Sequence, residues 1–225
     1  VLLLGKVTDT QDITGTVLEE KDVKVTEEAV RETVLSFVGD YMQIPPMYSA
    51  LKVNGKKLCD LAREGKTVER QARPVKILTI DILDVTLPRV RMRVHCSKGT
   101  YIRTLLEDIA AAMGQKGTMS ALRRTTAGVY TEADAHTLEE IQAAKDAGPE
   151  ALQALMLPVE SVFTSLPLLV AGERVEQHLY NGCPTSRYSA ADGRYRVRNA
   201  GGQFLGLANV VNGVLKVEKL FVERN

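Results

Sequence analysis

The stretch Arg89-Val90-Arg91-Met92-Arg93-Val94-His95-Cys96-Ser97-Lys98-Gly99-Thr100-Tyr101-Ile102-Arg103-Thr104-Leu105-Leu106 changes its hydrophobic period at Gly99. Ahead of the glycine, Val90, Met92, Val94 and Cys96 alternate with Arg89, Arg91, Arg93 and His95, the two-residue period of a strand with one packed and one cationic face. Beyond it, Ile102, Leu105, Leu106, Ile109 and Met113 recur at helical spacing until Gly114. Ser97-Lys98-Gly99-Thr100 is the turn between the two, so strands and helices belong to one packed chain. The turn also places an aromatic ring, Tyr101, and a guanidinium, Arg103, side by side at a helix start.

Upstream, a second strand is expected over about 75–86. Thr26 caps a helix that sets Val30, Val34, Phe37 and Val38 on one face before Gly39 ends it. Residues 1–24 read as strands broken by the polar turn Thr8 to Gly15. Pro45-Pro46 opens a Lys- and Arg-rich excursion to about Pro74, in which Gly55 and Gly65 bracket a short helix. Downstream, Ser120 to Tyr130 reads as strand. Thr137 and Glu140 form a capping box, and Pro149 suits a second helix start. Composition shifts near Leu157-Pro158. Past Pro167 the pattern predicts a helix over 173–180, stopped by Asn181-Gly182. Strands over 195–198, 203–211 and 214–222 follow, joined at Gly201-Gly202 and Asn212-Gly213, which makes a small β-rich module. The expected domains are 1–160 and 165–225.

At 225 residues, 44% hydrophobic and 25% charged, the chain has enough apolar side chains for a core and too many for disorder. No run approaches the ~18 apolar residues of a membrane span, and no basic-then-apolar leader precedes Val1-Leu2-Leu3-Leu4. A soluble cytoplasmic protein without a membrane partner is expected, with a monomer as the default. Cys59, Cys96 and Cys183 stand far apart and read as reduced thiols. A phosphate loop at Leu4-Gly5-Lys6 fails for want of the earlier glycine and of Ser or Thr after the lysine. GxSxG, HExxH and GxGxxG do not occur, and the three histidines are scattered. No metal or cofactor is expected.

The formal net charge of +1 hides segregation. Residues 9–40 hold nine acids against Lys21, Lys24 and Arg31. Residues 52–76 hold eight bases against Asp60, Glu64 and Glu69, and 89–103 hold five bases and no acid. This pattern suits a polyanion such as nucleic acid and equally suits solvated faces. Tyr101 with Arg103 likewise fits a stacked nucleobase and an anion, or a half-buried tyrosine beside a surface ion pair. Leu122-Arg123-Arg124 lines an RNA groove or ends a strand.

Five stretches in order resemble the TruB family of bacterial tRNA pseudouridine synthases. They are Gly5-Lys6-Val7-Thr8-Asp9-Thr10-Gln11-Asp12-Ile13-Thr14-Gly15, Ile44-Pro45-Pro46-Met47-Tyr48-Ser49-Ala50-Leu51-Lys52-Val53-Asn54-Gly55-Lys56-Lys57, Ala62-Arg63-Glu64-Gly65, Cys96 to Arg103, and Leu122-Arg123-Arg124. The resemblance implies an α+β fold: a mixed α/β catalytic domain with a central antiparallel sheet, followed by a small PUA-like RNA-binding domain. It implies isomerisation of uridine 55 in the tRNA T loop to pseudouridine. That reaction conserves every atom and the redox state, so it needs no cofactor.

By the same resemblance, Tyr101 contacts the flipped-out uridine, Arg103 pairs with the catalytic aspartate, and Leu122 lies at the base pocket. The excursion over about 46–74 clamps the RNA through Lys52, Lys56, Lys57 and Arg63. Lys98, Arg123 and Arg124 are further RNA-binding candidates. The expected partner is tRNA, held at its T stem-loop and, through the C-terminal domain, its acceptor stem. The family's nucleophile lies in a Gly-x-x-Asp-x-x-Ala-x-Gly motif that these residues do not contain, and Asp9 and Asp12 match a different family element. An upstream segment carrying that aspartate is therefore expected, and the 225 residues alone are expected to be inactive or nearly so. The alternatives are a non-catalytic tRNA-binding or RNA-folding module and, less in keeping with the basic excursion, an RNA-guided dyskerin-type subunit.

Overall fold

In the computed structural model, which describes residues 1–222, the first part of the chain runs in the following order. It comprises β1 (Leu2–Leu4), β2 (Lys6–Thr8), β3 (Val17–Glu20), α1 (Glu27–Ser36), β4 (Gly39–Gln43), β5 (Lys52–Val53), β6 (Lys56–Lys57), α2 (Leu58–Arg63), β7 (Arg73–Thr86), β8 (Arg89–Cys96), α3 (Ile102–Ala112) and β9 (Gly117–Met119). Five of these strands form an antiparallel sheet in the order β4-β7-β8-β1-β9. Val30 and Val34 of α1, and Leu105, Leu106, Ile109 and Ala110 of α3, pack on it with Leu2, Ile77, Ile80 and Val90.

The alternation on β8 holds: Val90 is buried, Met92, Val94 and Cys96 join the core, and Arg89, Arg91, Arg93 and His95 are exposed. On β7 the inward residues are Val75, Ile77, Ile80, Ile82 and Val85, which skip an extra residue twice. Register shifts fall at those two places, between Ile77 and Thr79 and between Ile82 and Asp84. Each bulge absorbs one residue and returns the apolar set to the core face, so a long strand keeps one packed side.

Two readings are corrected here, and one strand is added. Val38 is 44% exposed, because α1 ends at Ser36 with Phe37 as its cap, and Val38 lies beyond the helix in the link to β4 and leaves the helical face. The strand expected over 120–130 lies earlier, at Gly117–Met119, and only the ribbon of β10 (Thr126–Ala127) and β11 (Tyr130–Thr131) forms beyond it. β9 is buried throughout between β1 and α3 and is too short to show alternation. β4 carries little apolar pattern in Gly-Asp-Tyr-Met-Gln, yet Tyr41 packs against the core and Gln43 is buried.

The tight fit of β9 on α3 depends on Gly117, where an added Cβ would stand 2.4 Å from Cβ of Ala110 and 2.9 Å from Cδ1 of Leu2. Gly117→Ala is expected to cost about 1–3 kcal/mol by overpacking. Urea denaturation at unchanged m-value checks this, and a neutral result would mean that β9 moves away from the helix without penalty.

The second part of the chain adds α4 (Leu138–Ala147), α5 (Pro149–Ala154), β12 (Leu168–Ala171), α6 (Glu173–Tyr180), β13 (Thr185–Ser186), β14 (Gly193–Asn199), β15 (Phe204–Val211) and β16 (Val214–Leu220). The capping box at Thr137 and Glu140 and the proline start at Pro149 both form. The sheet order is β12-β14-β15-β16-β13, with β12 parallel to β14. The three expected strands are present, and β12 and β13 extend the sheet on either side.

The chain divides into compact units at Arg123/Arg124, ahead of the boundary expected near 160–165. Side chains explain this. The Tyr130 and Ser161 hydroxyls hydrogen-bond at 2.8 Å, and Glu160 pairs with Arg196 and Arg198 of β14, so residues 124–167 are fastened to the C-terminal sheet. Among the described residues no helix is long and apolar enough to cross a membrane.

Candidate RNA-base site at the start of α3

Gly99 takes φ +84°, which lets the chain reverse between β8 and α3. The turn is pinned from inside, since Thr100 Oγ1 donates to the Ser97 carbonyl at 2.9 Å and Ser97 Oγ accepts the Lys76 N–H at 2.9 Å. Tyr101 is the N-cap residue of α3 in extended conformation, and its side chain makes no capping bond. Arg103, in the first helical turn, donates Nη1 to the Thr10 carbonyl at 3.2 Å and Nη2 to the Tyr48 carbonyl at 2.9 Å. Both Tyr101 and Arg103 are half-buried.

Three distant segments therefore converge on one helix start: the loop over 9–15, the segment over 43–49, and the turn over 97–104. The first is held by Gln11, which adopts φ +61° and accepts a hydrogen bond from Thr104 Oγ1 at 2.9 Å. Its amide nitrogen donates to Glu107, one turn along the helix, whose carboxyl is pushed up by burial. Met119 N–H donates to the Gln11 carbonyl and Ile13 N–H to the Met119 carbonyl, which ties the same loop to β9.

Asp9 and Asp12 serve their own loop. Asp9 Oδ1 accepts the Thr16 N–H at 2.8 Å. Asp12 Oδ1 accepts the N–H and hydroxyl of Thr14 at 3.0 and 2.7 Å. Those bonds hold the Asp12 carboxyl below the usual aspartate range, with a smaller contribution from the Arg103 charge. Among the described residues Arg103 forms no ion pair with a carboxylate.

The remaining candidates are exposed side chains on other segments of the chain. Leu122 is 58% exposed on the irregular segment leaving β9. Lys52, Lys56 and Lys57 are exposed on the β5–β6 ribbon, with Lys52 opposite Lys57. Arg63 is exposed on α2 and pairs loosely with Asp60 at 3.4 Å, and Lys98 is exposed in the turn. Arg123 and Arg124 are exposed on the two sides of the division between units. Gln11, Gln43, Thr104 and Glu107 escaped the sequence reading. Only Gln43 left a signal, since it shares the inward phase of Tyr41 on a strand, where a buried amide needs partners.

The family model described as TruB family pseudouridylate synthase (N terminal domain) matches residues 1–102. That described as tRNA pseudouridylate synthase B C-terminal domain matches residues 103–164. A tRNA pseudouridine synthase B of Stutzerimonas stutzeri (strain A1501) is 41% identical over 212 residues, covering 93% of this chain and 70% of that protein. The chain belongs to the TruB family. Another member, tRNA pseudouridine synthase B of Burkholderia mallei (strain NCTC 10247), is 40% identical over 226 residues, covering 97% of this chain and 74% of the relative.

The fold extends further than the family. A chain in the crystal structure of a Cbf5-Nop10-Gar1 complex superposes with a TM-score of 0.67 at 20% identity, and this chain covers 65% of its length. One in an H/ACA RNP bound to a substrate RNA containing 2'-deoxyuridine gives 0.67 at 20% identity, with 63% of its length covered. In the TruB family match, the two models meet between Ile102 and Arg103, inside the first turn of α3, so the site draws on both.

Proposed function

We propose that this chain forms the RNA-holding and base-pocket part of a tRNA pseudouridine synthase that isomerises uridine 55 of the T loop, working as a monomer in the cytoplasm. The observation that carries the reading is the convergence of Tyr101 and Arg103 on one helix start in a member of the TruB family. Extracting a base from its stack costs a few kcal/mol, which a stacking ring and fixed polar groups repay. In this reading Tyr101 supplies the ring, Leu122 an apolar edge of the pocket, and Arg103 the cation that keeps the reacting carboxylate ionised and oriented. That carboxylate is the aspartate of the family's Gly-x-x-Asp motif, which the 225 residues do not contain. Residues 1–160 are then the catalytic domain and 165–225 a PUA-like module for the acceptor stem.

Lys52, Lys56, Lys57 and Arg63, with Lys98, Arg123 and Arg124, grip phosphates. Replacing Lys52, Lys56 and Lys57 together by alanine is expected to weaken T stem-loop binding and to reduce its salt slope by about 2 to 3. Filter binding at about 50 to 200 mM salt measures this. An unchanged slope would place the phosphate grip elsewhere.

A second reading is a tRNA-binding or RNA-folding module without chemistry, which the exposed lysines of the β5–β6 ribbon would serve equally well. One experiment separates the two. Isomerisation must expel the C5 hydrogen, so a T stem-loop carrying 5-tritiated uridine releases label only if the chemistry occurs. The assay is run with the Gly-x-x-Asp segment supplied: release then supports the synthase, and binding without release even with that segment present supports the second reading.

A further inference from the structure

Gln43 ends β4 and is only 2% exposed, yet it touches the site through the backbone of another residue. Its Oε1 accepts the Tyr101 N–H at 2.8 Å, and its Nε2 donates to the Tyr101 carbonyl at 3.0 Å. The primary amide thus acts on residue 101 as a neighbouring strand would, satisfying donor and acceptor together. Nothing else in the turn does this work. The Tyr101 side chain makes no capping bond, and the pins at Ser97 and Thr100 lie earlier in the chain. The Tyr101 carbonyl also accepts the Leu105 N–H at 3.0 Å, so the clamp is continuous with the first hydrogen bond of α3. Arg103 makes the reciprocal link, from the helix back to Tyr48, five residues past Gln43.

We infer that Gln43 is a positioning residue for Tyr101: by fixing both polar groups of the residue 101 backbone, it sets the direction in which the tyrosine ring leaves the helix start. It also couples that direction to the root of the basic excursion. The inference rests on the proposed function for its catalytic consequence and on geometry alone for its structural one, and the test reads each separately. Gln43→Leu removes both bonds at similar volume. Gln43→Glu keeps an acceptor for the N–H and loses the donor to the carbonyl, and it serves as the second variant should leucine prevent folding. Gln43 is buried, so RNA affinity serves as a control.

The first readout is the fluorine NMR resonance of Tyr101 in the full chain labelled with 3-fluorotyrosine, assigned by its loss in Tyr101→Phe. The expected result is a single sharp line in the wild type that broadens or moves toward the averaged position in Gln43→Leu, with the other tyrosine lines unchanged. An unmoved Tyr101 line in a folded variant overturns the inference whatever the activity. The second readout is tritium release by the chain in the form that turns over. Here kcat is expected to fall about 10- to 100-fold with KM and RNA affinity nearly unchanged, since displacing a substrate-positioning group by about 1 Å costs on that order.

On a Tyr101→Ala background the same Gln43 change is expected to add nothing further, because it acts only through that ring. Additive losses, or an equal loss of RNA binding, would make Gln43 a structural residue and overturn the positioning role. A wild type that binds T stem-loop RNA but never releases label even when the aspartate-bearing segment is supplied overturns the synthase reading, and the fluorine line still decides the clamp.

Discussion

Arg103→Ala, measured with the aspartate-bearing segment supplied, is expected to lower isomerisation by about a thousandfold while leaving T stem-loop affinity within about threefold, because a preorganised cation facing developing charge contributes on that scale to the transition state alone. The guanidinium has two tasks that alanine ends together. It holds the Thr10 and Tyr48 carbonyls, fastening two loops to the first turn of α3, and it keeps positive charge close enough to Asp12 to lower that carboxyl. The phosphate grip is assigned to other residues, so binding should persist. Arg103→Lys separates the tasks: a lysine keeps the charge but lacks the planar fork that reaches two acceptors at once. Recovery of only a small part of the rate by lysine would show that geometry matters as much as charge. Paired measurement of tritium release and filter binding tests this, with a thermal midpoint to confirm folding, and an equal fall in rate and affinity would remove Arg103 from the catalytic role.

The residues of this site differ in how visible they are in the sequence, and the difference is physical. Tyr101 and Arg103 announce themselves because a glycine turn and a change of period fix where the helix begins, and the structure puts them there. The partners of Arg103 are backbone carbonyls, which every residue possesses, so no side-chain pattern points to Thr10 or Tyr48. Gln11 is hidden for a related reason, since its role depends on a positive φ that its residue type does not announce. β7 was legible in extent but not in its two bulges, which appear only when the inward residues are matched against β8. The arginines of β14 have partners that the local sequence does not show. Arg194 pairs with Glu218, and Arg196 and Arg198 pair with Glu160, both distant in sequence.

Glu160 carries the second large effect, and it is one of stability. Its carboxylate, 8% exposed on the 3-10 turn Val159–Phe163, accepts Arg196 Nη1 at 2.5 Å and Arg198 Nε and Nη2 at 2.7 to 2.9 Å. Its neighbours anchor the same turn: Ser161 bonds Tyr130, and the Phe163 ring lies 6.1 Å from Phe204 and 5.6 Å from Phe221. Glu160→Ala leaves two arginines facing each other across an empty place. Breaking a fully buried pair costs about 3–5 kcal/mol, and because the Arg198 side chain is 40% exposed the expected loss is about 2 kcal/mol. For a chain of this length that lowers Tm by about 4–8 °C.

The pH dependence follows from the sign of the shift. The Arg198 hydrogen bond, then that of Arg196, holds the Glu160 carboxyl below the usual glutamate range against the opposing effect of burial. The stabilisation is thus fully present above the unfolded value of about 4.3 and is lost as pH falls through the lower folded value. Wild type and Glu160→Ala should differ in Tm at pH 7 and converge under acid, whereas a difference that persists unchanged to pH 3 would show that packing of the turn, not the carboxylate, holds residues 124–167 to the C-terminal sheet.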